Sequence, residues 1–340
     1  MVNQHACHSA IMLPGNIVFV AGGAVTAGIT ASSAGDLYEP MGGLFYNFPE
    51  LTQVHGCGTT ATLLPGQAED VLFVGGADAE IWSFTGSVTI PLPYPVLFHS
   101  ATLLPNGKVL IVGGINQQGD SLSSAELFDP SSNTFSATGS LGTPRAHHTA
   151  TLLPNGKVLI AGGRFNMDEG VTLQSIEIYD PTTATFSSFG SMIAQREQHT
   201  ATVLNNGTVL LAGGVVVNGI AASGYRSSAE IYDPNTGKSA WVANMTNARY
   251  GHTATLLPNG KVLIAGGTNA WTHGVYPPFG NALATAELFD PASATFTLTG
   301  KMSFGRYQHQ ATMLLSGMVL ITGGYDITGT PIYTTELYHP

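Results

Sequence analysis

The two cysteines of this chain stand in matching His-X-Cys segments, a spacing that could support metal or redox chemistry. One segment holds His5 and Cys7, and the other, 50 residues later, holds His55 and Cys57. Residues two apart in an extended strand point to the same side, so each histidine is expected to lie beside its cysteine. Two thiolates with two imidazoles suit a tetrahedral zinc or copper site. Two alternatives stay open: a Cys7–Cys57 disulfide, or two small thiols packed as apolar groups.

The arginines are a second group that could do chemistry. The chain has only six. Four of them stand three residues before a recurring histidine, and two lie in loops that follow Gly-Gly pairs: Arg145, Arg196, Arg249 and Arg306 in the first set, Arg164 and Arg226 in the second. Guanidinium groups bind carboxylates and phosphates, so all six are candidate ligand-binding residues. The alternative for the repeated four is a structural ion pair with a repeated acid such as Glu177 or Glu230.

Aromatic residues and histidines complete the candidate groups. Trp271 and Tyr276 lie in a long loop, residues 268–285, where they could stack on a ligand or pack down as a plug. One histidine recurs at a single repeat position and is expected to be a hydrogen-bonded part of the repeat: His8, His99, His148, His199, His252 and His309. The sequence contains no nucleophile elbow, phosphate-binding loop or convincing carboxylate pair, so no catalytic residue is predicted.

An internal repeat must position these side chains. Seven Gly-Gly pairs each close a short apolar run, at steps of 38 to 57 residues: 22–23, 75–76, 113–114, 162–163, 213–214, 266–267 and 323–324. A period of this size indicates a repeat architecture in which each unit packs on its neighbours.

Residues 147–186 show what one unit contains. Two apolar runs flank Asn155-Gly156, a pair typical of tight hairpins in which both central residues take positive φ. A third run, residues 176–179, ends at Asp180-Pro181, and an outer strand begins near Thr185. Four short strands per unit predict a seven-bladed β-propeller. The last unit stops after its third strand, so its blade is either three-stranded or completed by residues outside this sequence.

These features resemble the kelch repeat family. The Gly-Gly pair, the aromatic residue of the third strand and the aromatic residue of the fourth carry the resemblance over the whole chain, which implies one kelch propeller domain, residues 1–340. The fold hosts both binding modules and enzymes. A more distant similarity links Cys7 to the galactose oxidases, copper enzymes with a Cys–Tyr cross-link. Their radical-site tyrosines are absent, because Cys57 or Gly58 stands at the cross-linked position, while Gly251 and Gln308 stand where a later tyrosine is expected.

Composition and net charge limit the classes of binding partner. The net charge of −10 argues against nucleic acid or an anionic membrane surface, and no apolar run is long enough to span a bilayer. No signal peptide is predicted, although low charge and many small polar residues are common in extracellular or periplasmic proteins. The sequence therefore predicts a recognition module for a protein or glycan, with an acidic ligand favoured by the arginines. The alternative is a copper- or zinc-dependent enzyme, such as an oxidoreductase, using the His-X-Cys pair.

Overall fold

The protein is all-β in a computed structural model, which describes residues 1–25, 30–48, 50–66, 69–166, 170–219, 221–270 and 281–340. Eight sheets form within these residues. Seven of them hold the strands of the repeat and are called blades one to seven, in chain order. The described residues contain no helix, and hence none that could cross a membrane.

The first three blades each have four strands. They are β1 Ser9–Leu13, β2 Ile17–Ala21, β3 Gly35–Glu39 and β4 Leu44–Phe48; β5 Thr60–Leu63, β6 Val71–Val74, β7 Gly76–Ser83 and β8 Gly86–Val96; β9 Ser100–Leu103, β10 Val109–Val112, β11 Ala125–Asp129 and β12 Thr134–Ala137.

Blades four and five are each interrupted in the numbering by two short loop strands. Blade four has β13 Thr149–Leu152, β14 Val158–Ala161, β17 Ser175–Asp180 and β18 Thr185–Ser191; blade five has β19 Thr200–Val203, β20 Val209–Ala212, β23 Ala229–Asp233 and β24 Lys238–Trp241. The eighth sheet, called the loop sheet, has β15 Arg164–Phe165, β16 Val171–Thr172, β21 Val215–Asn218 and β22 Ala221–Tyr225.

Blades six and seven complete the set. Blade six has β25 Thr253–Leu256, β26 Val262–Ala265, β27 Ala286–Asp290 and β28 Thr295–Leu298, and blade seven has only β29 Gln310–Met313, β30 Val319–Thr322 and β31 Thr335–Tyr338. The predicted all-β propeller architecture is therefore confirmed, and blade seven has three strands within the described residues.

The hairpin between the first two strands differs from the expected turn. Gly156 takes a φ of 82°, whereas Asn155 is not among the residues with positive φ. Gly156 N–H donates to the carbonyl of Leu153 at 2.9 Å, and the Asn155 side chain accepts from the N–H of Lys157 at 3.1 Å. The prediction that both central residues need positive φ was wrong, because the loop spans three residues, 154–156, and only its last residue, the glycine, is left-handed.

The Gly-Gly pairs do adopt the expected conformation. Gly162 and Gly163 have φ of 62° and 90°. A Cβ on Gly163 would lie 2.6 Å from the carbonyl oxygen of Ala146, so a side chain would push away the segment leading into the first strand. We call that segment the lead-in segment, and we call the end of a blade where it meets the Gly-Gly loop the loop end.

Two compact sets of residues can each be described separately. One consists of residues 1–91, 251–288 and 298–340, and the other of residues 92–250 and 289–297. In the first set, β1 contacts both β29 and β5, and β25 contacts β29, so first strands of successive blades lie side by side. In the second set, β13 contacts β9 and β19. A single domain over residues 1–340 remains a prediction.

The apolar core lies between neighbouring blades. Leu159 and Ile178 of blade four pack with Leu211 of blade five, and Phe19 of blade one stacks on Trp82 of blade two at 4.1 Å between ring centroids. Because each second strand is buried on both faces, the blades are held mainly by this packing against neighbours.

Candidate functional site

The recurring arginines tie each lead-in segment to its own blade. Arg145 is fully buried and donates to the carbonyls of Gly162 at 2.9 Å and Ser175 at 3.1 Å, and to the Glu177 carboxylate at 2.7 Å. Burial lowers the pKa of Arg145, and the Glu177 charge opposes that shift. The guanidinium fork is thus occupied by its own blade.

The same arrangement recurs along the chain. Arg196 pairs with Glu230 and Arg306 with Glu336, each at 2.8 Å, and Arg249 is also fully buried. The four repeated arginines were predicted to bind a ligand, but all four side chains are buried: Arg145, Arg196, Arg249 and Arg306. Their positions match the structural alternative instead.

Histidine replaces arginine in blades one and two. Three positions before His8 stands His5, whose Nδ1 lies 2.8 Å from the Gly22 carbonyl and whose Nε2 lies 3.6 Å from Asp36. In blade two, His55 Nε2 lies 3.2 Å from Glu80. Both imidazoles are buried against an acid of their own blade.

The two cysteines do not form a common site with these histidines. Cys7 has a φ of 49°, so the backbone is not extended there and the same-side expectation fails. Cys7 and Cys57 form a disulfide with a Cα–Cα distance of 5.1 Å. Within the described ranges no group of three or more His, Cys, Asp or Glu side chains could hold a metal ion. The proposed four-residue metal site is therefore not assembled, and the pairing seen is the disulfide alternative.

A tyrosine and a glutamine border the disulfide. The Tyr325 hydroxyl lies 3.6 Å from both sulfur atoms, and the Gln308 side-chain oxygen lies 3.3 Å from Cys7 Sγ. Tyr325 is fully buried and packs on Tyr307 at 5.5 Å between ring centroids. Both cysteines are half-buried.

The repeated histidines bridge blades. His148 Nε2 lies 2.9 Å from Ser100 Oγ of the preceding blade, and His199 Nε2 lies 3.1 Å from Thr149 Oγ1. Burial lowers the pKa of His199 to about 3, so its imidazole is neutral at pH 7. These contacts agree with the structural role expected for the set.

The loop sheet joins the Gly-Gly loops of blades four and five. Val171 of β16 pairs with Asn218 of β21, and Thr172 Oγ1 both donates to the Val217 carbonyl and accepts from its N–H. Arg164 is buried and donates to the Gly219 carbonyl at 2.8 Å. The sequence predicted variable loops here but no sheet, although the Val215–Val217 run was a β-strand signal.

The loop sheet has exposed apolar side chains and ends beside a half-buried arginine. Phe165 is 43% exposed and Val171 is 49% exposed. Arg226 directly follows β22 and is half-buried. All six arginines lie in the described ranges, and the other five are buried. Trp271 and Tyr276 lie outside the described residues.

Glu197 is a buried acid that sequence reasoning missed. It is fully buried at the base of the loop sheet, where its N–H donates to the Val215 carbonyl at 3.1 Å. Neither carboxylate oxygen has a hydrogen-bond partner. Burial raises the pKa of Glu197 to about 7, and the nearby Arg164 charge only partly opposes this. A buried carboxyl group without a partner is costly.

Comparisons with known proteins agree with this architecture. The Kelch motif family matches residues 99–142 and 144–193. These two segments belong to the kelch repeat family. A solved structure described as a novel fungal alcohol oxidase of the AA5 family, in complex with copper, matches with a TM-score of 0.79 and 18% identity. The match covers 99% of this chain and 75% of the oxidase. At this identity the likeness concerns the fold. No curated protein matches the sequence.

Proposed function

We propose that this kelch propeller is a recognition module that binds a protein or glycan partner at the loop end of blades four and five. The loop sheet is the observation that carries the proposal. It is a structured addition to the repeat, and its exposed Phe165 and Val171 provide apolar contact area. Loops held on a rigid scaffold are the usual place for binding residues in propellers.

Arg226 is the proposed anchor of this surface. In a chain of net charge −10 a half-buried guanidinium favours a carboxylate or another acidic group on the partner. Tyr225 precedes it, is half-buried, and stacks near the buried Tyr250 at 6.0 Å between ring centroids. Arg164 then has a supporting role, since its guanidinium holds the β21–β22 hairpin.

A binding assay with defined acidic probes tests the proposal. Uronic-acid oligosaccharides and glutamate-rich peptides are titrated against the wild type, Arg226→Ala and Lys238→Ala by calorimetry. Lys238→Ala removes the same charge from an exposed position on the outer strand of blade five. We expect Arg226→Ala to weaken binding at least about tenfold, because a charged hydrogen bond contributes about 1.5–3 kcal/mol, and Lys238→Ala to change little. Equal losses in both variants, or no binding of any probe, would contradict the proposal.

A metal-dependent enzyme is the second candidate, favoured only by the copper-containing oxidase with the same fold. The donors do not fit it as arranged. The Cys7 and Cys57 sulfurs are bonded to each other, and the His5 and His55 rings face Asp36 and Glu80. Elemental analysis with a thiol count separates the two functions. Stoichiometric copper or zinc that is lost on Cys7→Ser would favour the enzyme.

A further inference from the structure

The Cys7–Cys57 disulfide lies where an external thiol can reach it. Both cysteines are half-buried, whereas Ala6, Ala24 and Tyr307 beside them are fully buried. Thiol–disulfide exchange begins with attack of a thiolate on one sulfur, so access to the bond is the first requirement.

The surroundings of the disulfide suit a cleaved bond better than an intact one. A hydroxyl donates more strongly to a thiolate than to a neutral disulfide sulfur. The Tyr325 hydroxyl, 3.6 Å from both sulfurs, therefore stabilises the reduced form more than the oxidised form. The buried ring holds this donor in place.

Gln308 distinguishes the two sulfurs. Its side-chain oxygen lies 3.3 Å from Cys7 Sγ. A disulfide sulfur has no proton to donate to that oxygen, but a Cys7 thiol does. Cys7 is thus the sulfur whose free thiol gains an additional hydrogen bond, so the mixed disulfide on Cys57, which leaves Cys7 as a protonated thiol, is the more stable of the two.

Backbone contacts around Cys7 hold the segment without the disulfide. The Cys7 N–H donates to the Gln308 carbonyl at 2.9 Å, and Ala6 and Ala24 exchange hydrogen bonds at 3.2 and 2.8 Å. Cleavage of the S–S bond therefore does not require the lead-in segment of blade one to leave its place.

We propose that Cys7–Cys57 is a reversible exchange site for a small dithiol, with Tyr325 as the positioning residue for the leaving sulfur. One thiolate of the dithiol attacks Cys57 Sγ. A mixed disulfide forms, the Cys7–Cys57 bond breaks, and its electron pair goes to Cys7 Sγ, which accepts from Tyr325. The second thiolate then displaces Cys57. The dithiol is oxidised to a cyclic disulfide, and the protein gains two electrons and, at both sulfurs, two protons.

Redox titration of the folded protein with dithiothreitol tests the proposal. Thiols are counted in native buffer for the wild type, Tyr325→Phe and Tyr333→Phe, with circular dichroism as the check on folding. Tyr333→Phe is the matched control, since Tyr333 is 58% exposed in the same blade. We expect Tyr325→Phe to lower the equilibrium constant for reduction about tenfold, which is about 30 mV, and the control to match the wild type.

A mapping experiment on the wild type keeps the proposal testable if Tyr325→Phe does not fold. A brief pulse of glutathione is quenched by alkylation, and the mixed disulfide is located by mass spectrometry. We expect the adduct on Cys57 and the alkyl group on Cys7. The reverse pattern, an unchanged potential in Tyr325→Phe, or thiols that appear only at the rate of global unfolding would overturn the proposal and leave a structural cross-link.

Discussion

The acidic residue on the third strand pairs with different residue types in different blades. Arginine holds it in blades four, five and seven, and histidine holds it in blades one and two. In blade three, Val96 stands at the equivalent position and Glu126 has Tyr94 beside it. Burial raises the pKa of Glu126, whereas bonds from His55 and other donors overcome burial and lower the pKa of Glu80 to about 2.

This contrast predicts the cost of breaking one buried pair. Arg196→Ala leaves Glu230, fully buried, without its cation. We expect a loss of about 3–5 kcal/mol in the free energy of unfolding, measured by urea denaturation. The double variant Arg196→Met/Glu230→Gln should recover part of the loss, since no charge is then left buried. Lys157→Ala, which breaks an exposed pair with Asp180, should cost far less; a similar cost would contradict the argument.

Glu197 predicts a pH dependence of stability. Its pKa is about 7 in the folded protein, above the ordinary value of 4.5, so the folded state binds a proton that the unfolded state releases. Stability attributable to Glu197 is therefore intact below pH 4.5 and is lost as pH rises to about 7. Glu197→Gln should stabilise the protein by about 3 kcal/mol at pH 8 and by little at pH 4.5.

Urea denaturation at both pH values measures this difference, with Glu50→Gln at an exposed position as the control. If Glu197→Gln has the same effect at both pH values, the carboxyl group does not titrate as expected.

At the scale of elements, the fourth strand completes an aromatic pair. Tyr179 of β17 packs on Phe186 of β18 at 4.8 Å between ring centroids, and Phe128 packs on Phe135 at 5.0 Å. Blade seven has Tyr338 on its third strand but no fourth strand within the described residues. A Cβ added to Gly139 or Gly190 would lie within 2.5 Å of a carbonyl oxygen in the turn of the following blade. A Cβ added to Gly300, at the same position of blade six, would have no atom within 4 Å.

An added strand is therefore expected to stabilise blade seven. Appending the sequence of residues 292–299, which completes the turn and forms the outer strand of blade six, after Pro340 should raise the melting temperature. Differential scanning calorimetry measures the rise, and the same extension with the residue copied from Phe296 changed to Asp is the control. No difference between the two extensions would show that the aromatic pair with Tyr338 does not form.

The repeat made the elements predictable, and the departures from it were harder to read. Gly-Gly pairs and third-strand aromatics located the strands, because close approach and interblade packing demand those residue types. The sequence also placed Cys7 beside Cys57, since equivalent positions of adjacent blades are neighbours. It did not assign His5 to the arginine position, although the three-residue spacing to His8 was visible. Glu197 and the loop sheet depend on contacts between two loops, which no local pattern encodes.

At the scale of the molecule, the two ends of the sequence meet in residues 1–91, 251–288 and 298–340. Strand β1 packs on β29 of the last blade, while the disulfide links the lead-in segments of blades one and two. Because repeat proteins gain stability from interfaces between neighbours, a link between two blades acts on an interface and not on one blade alone.

The last prediction concerns that link. Cys7→Ser/Cys57→Ser removes a cross-link across 50 residues. We expect the free energy of unfolding to fall by about 2–4 kcal/mol, since the unfolded chain regains the entropy of a closed loop. Urea denaturation of the wild type in excess dithiothreitol should give the same lower stability as the double variant. A double variant as stable as the oxidised wild type would mean that packing between blades one and two sets the stability alone, and that the disulfide is kept for its chemistry.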